Sequence, residues 1–517
     1  MSDLRVYRVD DSTMGGMLRW HALHRGGRTA VVCGGDRRTW RELNAGANRL
    51  ANALTELGLA EGDRVAVLLS NCVEYVEIFQ GVAKLGMTVT PVNFHLAADE
   101  VAFILDDCEA QALIYDATKA NLIHQLDASG RLHVPEAKRI ALGTADEPVK
   151  AYAQLVAGAA DAEPKVDIDG AEPFFQGYTS GTTGFPKGCV QTQTAFVDHY
   201  KRGLLAYRYG APEVMLIPGP LFHEAPALFT LGHLFFGGTV VVLPAFTPEA
   251  ALEAIERERC SVIGFAVPTM LDRITACHDD RDISSVRRII TAGAPLRLET
   301  MDATLDMFSS AELHEFYGAT EVGLVTDVGH RAHRNRGCTA GQPVPGVGLL
   351  ILEDDGEVVA PGDVGLVFIS PLMMEGYYKR EEATAETTRS FDGVTWFTLG
   401  DMGYLDKEGY LYLVDRRSDM IITGGENVYP TEVENVLSRH AAVADVAVIG
   451  LPDPEWGEAV TAVIVPAGEM PTLNDIKDFC ADKLARYKVP KRVEQASELP
   501  RTASGKVQKH ELRASLA

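Results

Sequence analysis

The chain reads as an α/β protein: a large N-terminal domain of layered α/β subdomains over residues 1–417, then a small C-terminal α+β domain over residues 418–517. Three observations predict this. Apolar runs of strand length alternate with stretches at helical spacing, the pattern of parallel α/β layers. A length of 517 residues exceeds what one hydrophobic core usually serves. Late in the chain a glycine loop (Gly424-Gly425-Glu426-Asn427-Val428-Tyr429-Pro430) opens a separate unit, with a helix from Thr431 and a strand over Val443–Ile449.

The first elements are the clearest. Leu43, Ala47, Leu50 and Leu54 recur at helical spacing between Thr39 and Gly58, and Gly58 ends the helix. Val65–Leu69 reads as a buried strand, Glu74–Leu85 as a second amphipathic helix stopped by Gly86, and Thr88–Pro91 as the next strand. The polar stretch from Ala117 to Ala171 is the least regular and carries no usable motif.

Composition narrows the class. Hydrophobic residues make up 46% and charged residues 23%, ordinary values for a globular protein. No apolar run reaches membrane-span length and the N-terminus lacks a signal-peptide core, so a cytoplasmic location is expected. The eight cysteines form no Cys-x-x-Cys pair, which predicts reduced thiols. A formal net charge of −24 argues against nucleic acid or an anionic membrane as partner. Against that background, Lys483–Arg513 holds nine Lys/Arg and three Asp/Glu, a basic segment suited to closing over polyanions.

One stretch carries most of the chemistry: Tyr178–Gly188, Y-T-S-G-T-T-G-F-P-K-G. It follows a strand-like run (Pro173, Phe174, Phe175). Gly181, Gly184 and Gly188 let the backbone curl its N–H groups toward one point. Thr179, Ser180, Thr182 and Thr183 add hydroxyl donors and Lys187 a point charge suited to phosphate. The glycine spacing is not that of a Walker A loop. A flexible linker would need neither the aromatic at one end nor the Pro-Lys at the other, so a polyphosphate site is expected.

Further motifs follow in order. Pro220-Leu221-Phe222-His223-Glu224 places a histidine after an apolar run. Thr291-Ala292-Gly293-Ala294-Pro295-Leu296 offers small residues a flat ring can approach. Glu315-Phe316-Tyr317-Gly318-Ala319-Thr320-Glu321 combines a ring for stacking, a hydroxyl donor and a carboxylate suited to Mg²⁺. Trp396–Asp401 and Asp415–Asp419 supply a carboxylate that can accept from a diol and an arginine, Arg416. Pro500–Lys506 ends in a lysine after a Ser-Gly turn.

This ordered series, from about Trp40 to Lys509, resembles the adenylate-forming superfamily of acyl-CoA synthetases, luciferases and peptide-synthetase adenylation domains, nearest its acyl- and aryl-CoA ligases. The resemblance implies a small domain that rotates between two half-reactions. It also assigns roles. ATP would meet Thr179, Ser180, Gly181, Thr182, Thr183, Gly184 and Lys187 with its phosphates. Its nucleoside would meet Gly293, Ala294, Pro295, Glu315, Phe316, Tyr317, Gly318, Thr320, Asp401 and Arg416. Thr182 and Glu321 would serve Mg²⁺, His223 the acid and adenylate, and Lys506 the adenylation step. The acid pocket would be formed by His223, Phe265, Ala266, Ala294, Gly318 and Val322, small or apolar residues that suit an aryl, arylpropenoic or medium-chain fatty acid. Gly424, Gly425 and Glu426 would shape the thiol tunnel. Ser418 stands at the hinge, where relatives often carry Asp or Lys.

The expected activity is therefore an AMP-forming acid–thiol ligase joining a small carboxylic acid to coenzyme A at the expense of ATP. Loading of a separate carrier protein, or oxidative use of the adenylate, is the alternative. A non-catalytic nucleotide sensor is disfavoured by the intact Lys506, Glu321 and Asp401. An α-amino acid substrate is disfavoured because Glu224, Ala225 and Pro226 follow His223. Glu224 itself is expected to face solvent, and a homodimer is left open.

Overall fold

The computed structural model describes residues 13–144, 149–168, 170–179, 186–277, 280–337, 339–353, 356–423, 426–481, 483–501 and 507–516. Among them, two large sheets share one apolar core. An eight-stranded sheet has the parallel strands Thr88–Pro91, Arg64–Leu68, Ala112–Asp116 and Arg139–Leu142 at its centre. The hairpin Pro173–Thr179 and Lys187–Thr192 flanks them. A nine-stranded sheet carries the parallel run Thr29–Cys33, Thr239–Val242, Val214–Ile217, Val262–Ala266, Arg288–Thr291 and Glu312–Ala319. Helices Trp40–Glu56, Val73–Ala83, Gln193–Tyr207 and Glu224–Phe235 supply Leu50, Phe79, Tyr200 and Leu231 to a core that also takes Val65 and Phe174 from one sheet and Val240 from the other.

The local causes are those legible in the sequence. Thr39 caps the helix Trp40–Glu56 in a capping box with Glu42, which satisfies two otherwise orphaned N–H groups, and Leu43, Ala47, Leu50 and Leu54 are buried. The Ala117–Ala171 region is more regular than its composition suggests. It forms a helix Ala120–Ala128, the strand Arg139–Leu142 paired parallel to Ala112–Asp116, and a helix Tyr152–Gly158. Its tail is held from outside: Asn48 donates to Asp161 O at 2.9 Å and Lys84 pairs with Glu163 at 2.6 Å.

A six-stranded sheet over residues 348–416 closes the large part. Beyond it, a five-stranded sheet built on the hairpin Val443–Asp453 and Gly457–Pro466 makes the small unit, with helices Pro430–Leu437, Leu473–Cys480 and Lys509–Leu516. This is the expected mixed α/β architecture, a large N-terminal and a small C-terminal domain.

Candidate active site

The residues expected to meet the nucleoside come together through strand register. Asp401 and Arg416 stand opposite each other on the antiparallel strands Asp401–Leu405 and Leu411–Arg416, which brings Arg416 Nε to 3.3 Å from Asp401 Oδ1. The other carboxylate oxygen accepts the Tyr317 hydroxyl at 2.5 Å. Burial and the adjacent carboxylate push the Tyr317 hydroxyl pKa well up, so it stays a donor. Glu315, two residues earlier, does not face this cluster. Its carboxylate accepts the Leu296 N–H at 2.8 Å and meets His333 Nε2 at 2.8 Å, tying the Thr291–Leu296 segment to the strand Glu312–Ala319. Gly293 in that segment has φ +90, a conformation that favours glycine.

Glu321 is buried, and its Oε1 accepts from Tyr377 OH at 2.9 Å and Thr179 Oγ1 at 3.5 Å. Lys187 Nζ lies 4.9 Å from the centre of the Tyr377 ring. Thr179 and Lys187 are paired residues at the end of the hairpin Pro173–Thr179/Lys187–Thr192. Gly188 differs from expectation. It is an ordinary strand residue, and its smallness matters because a Cβ there would come within 2.5 Å of Gln176 Nε2.

A cavity of about 270 Å³ opens beside this cluster, lined among others by His223, Phe265, Phe316, Gly318 and Thr320. His223 precedes the helix Glu224–Phe235; burial and the nearby His95 lower its pKa to about 4, leaving the ring neutral at physiological pH. Phe265 holds a left-handed φ of +57 next to a register irregularity between the strands Val262–Ala266 and Arg288–Thr291. Two expected pocket residues turn elsewhere. Ala266 packs in the core with Leu271 and Ile289, and Val322 packs with Val325 and Ile369. Ala294 is half-buried and Pro295 exposed, and neither lines the cavity.

Glu224 corrects the sequence reading outright. It is buried in the cavity wall rather than solvated, and its Oε1 accepts from Gln191 Nε2 at 3.1 Å. Burial first, and the like charge of Glu321 as well, raise its pKa to about 8. Ser418 lies between the strands Leu411–Arg416 and Ile421–Thr423, in a turn closed by Asp419 N–H to Arg416 O at 2.9 Å. Glu426 starts the short strand Glu426–Val428. Ser180, Gly181, Thr182, Thr183, Gly184, Gly424, Gly425 and Lys506 lie outside the described residues.

Sequence reasoning missed Tyr377, Gln191 and His333, each of which holds a motif carboxylate or its neighbour. Only Gln191 leaves a trace, as a glutamine inside the otherwise buried strand Lys187–Thr192. Buried polar side chains in a strand signal a hydrogen-bonded function.

The Tyr317–Asp401–Arg416 cluster and an apolar cavity thus meet at one strand end of a layered α/β fold. The chain belongs to the AMP-binding enzyme family: its sequence profile matches residues 18–378, and that of the AMP-binding enzyme C-terminal domain matches residues 432–506. The chain is 37% identical to the long-chain-fatty-acid–CoA ligase FadD13 of Mycobacterium tuberculosis, over 92% of this chain and 93% of that one. It is 38% identical to a feruloyl-CoA synthase of Streptomyces sp, over 94% and 95% of the two chains. Its structure superposes on ATP-bound MatB from Rhodopseudomonas palustris with a TM-score of 0.87, at 28% identity over 98% of each chain.

Proposed function

We propose that this chain is an ATP-dependent carboxylic acid–CoA ligase, which works through an acyl-adenylate and gives acyl-CoA, AMP and pyrophosphate. The observation that carries the reading is the strand Glu312–Ala319, whose Tyr317 joins Asp401 while Phe316 and Gly318 line the apolar cavity. On this reading nucleotide and acid meet at one strand end.

A carboxylate is a poor electrophile, and attack on the α-phosphate of ATP supplies a leaving group. Such in-line transfer asks the protein mainly for positioning and charge neutralisation. Asp401 and Arg416 hold the ribose, Tyr317 and the Gly293–Pro295 segment the adenine, and the loop from Thr179 to Lys187 the departing pyrophosphate. Lys506 bridges carboxylate and α-phosphate, and neutral His223 borders the acid without repelling or neutralising it. Glu321, with Thr182, is the site for Mg²⁺. The fit rests on a buried carboxylate whose described hydrogen-bond partners, Thr179 and Tyr377, are both neutral hydroxyls. Held there, a divalent cation would supply charge neutralisation to the phosphates. Coenzyme A then displaces AMP, reached through a tunnel shaped by Gly424, Gly425 and Glu426 after the domain 418–517 turns about Ser418.

The cavity's size and its ring of Phe222, Phe229, Phe265 and Phe316 favour a compact aryl, arylpropenoic or medium-chain acyl group. A panel of carboxylic acids assayed for pyrophosphate, then for CoA-dependent AMP release, tests the reading. Pyrophosphate formation with no CoA-dependent AMP release would point to another acceptor, and no pyrophosphate with any acid would overturn it.

A further inference from the structure

One wall of the acid cavity is the segment 219–223, and its backbone is held from the other large sheet. We propose that Asn71, which is not among the residues lining the cavity, is the positioning residue for that wall and through it for the acyl group. The proposal rests on the acid–CoA ligase reading and deepens it at the acid site.

Asn71 follows the strand Arg64–Leu68 of the eight-stranded sheet and precedes the helix Val73–Ala83. It is buried, and both ends of its amide are engaged with backbone. Nδ2 donates to Gly219 O at 3.0 Å and to Leu243 O at 2.8 Å, and Oδ1 accepts the Leu221 N–H at 2.8 Å. These three bonds fix the amide, since a flipped Asn71 would set its oxygen against two carbonyls and its NH₂ against an N–H. The Asn71 carbonyl in turn accepts the Cys33 thiol at 3.6 Å. Cys33, Leu243 and Gly219 stand at or just past the ends of Thr29–Cys33, Thr239–Val242 and Val214–Ile217, adjacent parallel strands of the nine-stranded sheet. One residue of one sheet thus ties three strand ends of the other.

The tie reaches the cavity directly. Gly219, Pro220, Phe222 and His223 line it, while Leu221 between them is fully buried in the core. The segment has little slack: a Cβ on Gly219 would lie 3.0 Å from Pro226 Cγ and 3.9 Å from Phe265 Cδ1. Without the Asn71 amide, two buried carbonyls and one N–H lose their partner, and an unmade buried bond costs more than a made one gains. The segment would then shift to find other partners. A displacement of about 1 Å in a positioning element can cost about 100-fold in rate. Asn71 shares no described hydrogen bond with Tyr317, Asp401 or Arg416, so the loss should fall on the acid and spare the nucleotide.

The test uses the whole enzyme with Asn71→Leu, similar in volume and without polar atoms, and Asn71→Ser, whose hydroxyl can keep one bond. At a temperature where the variants are folded, KM for the best acid of the panel should rise about 10-fold or more in Asn71→Leu and less in Asn71→Ser. KM for ATP should stay within about twofold of wild type. Amide hydrogen exchange over 218–224 should quicken in both variants, and exchange over 314–320 should not. A merely structural asparagine would lower Tm and the active fraction while leaving both KM values alone; that result, or an equal rise in both, overturns the proposal. Should Asn71→Leu fail to fold, Asn71→Ser decides by the same measurements. If no acid yields pyrophosphate with the wild type, the ligase reading falls, and exchange alone decides whether Asn71 holds the wall: unchanged exchange over 218–224 overturns it.

Discussion

Tyr317 donates its hydroxyl hydrogen to Asp401 Oδ2 at 2.5 Å, joining two residues 84 apart in sequence. Arg416 holds the other oxygen of the same carboxylate at 3.3 Å. Asp401 is thus oriented before any nucleotide arrives, and a ribose diol would find its acceptor already placed. Asp401→Ala is expected to lower kcat/KM for ATP about 10- to 100-fold, the cost of one charge-assisted contact. Tyr317→Phe keeps the ring and loses only the tether, so its effect should be smaller, about fivefold, and concentrated in KM for ATP. Unchanged ATP kinetics in a folded Asp401→Ala enzyme would count against the assignment.

Tyr377 supports Glu321 at 2.9 Å and lies under Lys187. Removing its hydroxyl leaves the Glu321 carboxylate with one donor fewer and freer to turn. Tyr377→Phe should therefore raise the Mg²⁺ concentration for half-maximal pyrophosphate release several-fold, about 1 kcal/mol. KM for the acid should stay the same. A Mg²⁺ titration superimposing on wild type would place the cation elsewhere.

Two buried groups give stability opposite pH dependences. Glu224 keeps its proton to about pH 8 when folded, against an ordinary 4.5, so unfolding releases a proton between those values. Stability from this group falls as pH rises through that window. His223 stays neutral down to about pH 4, against an ordinary 6.5, so unfolding takes up a proton there and stability falls as pH drops. Glu224→Gln should flatten the decline of Tm between pH 5 and 8 without altering the acid limb. Parallel Tm profiles for the two proteins would show that Glu224 is not buried as described.

What the sequence disclosed was local. The helix Trp40–Glu56 announced itself by Thr39 and Glu42 at capping spacing, and the strand–loop–strand around Lys187 by glycine and proline. Asp401, Tyr317 and Arg416 were legible because ordered motifs carried them, although their meeting depends on sheet register. Tyr377 was not legible, since only the pairing of Gly376-Tyr377 with Cys189-Val190 brings it to Glu321. Glu224 was misplaced for a related reason. A charged side chain at a helix start is usually solvated, and nothing nearby in sequence reveals that Gln191 and Thr320 enclose it. Ala266 failed on alternation: the irregular strand end turns Phe265 toward the cavity and its neighbour into the core.

One contact spans Ser418: Asp415, before it, accepts the Thr431 N–H beyond it at 2.8 Å. A turn about Ser418 would have to rearrange that bond, whereas the pair of Arg513 with Asp419 at 2.7 Å lies wholly beyond the turn and would move with it. Ser418→Pro fixes φ near −65° and should impair thioester formation from supplied acyl-adenylate more than pyrophosphate release from ATP. Equal loss in both half-reactions would move the pivot to another residue.

Lys506 gives the sharpest separation of the two steps. If its charge acts only where acid meets ATP, Lys506→Ala should abolish acyl-adenylate synthesis from free acid. Losing one charged group that acts in the transition state typically costs about 100-fold or more. The thiol step begins with an acid already activated and does not need that charge. The two cations nearest in sequence are poor substitutes. Arg501 pairs with Asp445 at 2.5 Å, and Lys509 pairs at 2.9 Å with Glu434, which also accepts the Val448 N–H. Residual first-step activity should accordingly be small, while synthetic acyl-adenylate and coenzyme A are converted to thioester at a near-normal rate. Following AMP release from supplied adenylate, alongside pyrophosphate release from ATP, reads both steps on one purified variant. Loss of both in a folded Lys506→Ala protein would show that the lysine serves the fold or the thiol step, not adenylation.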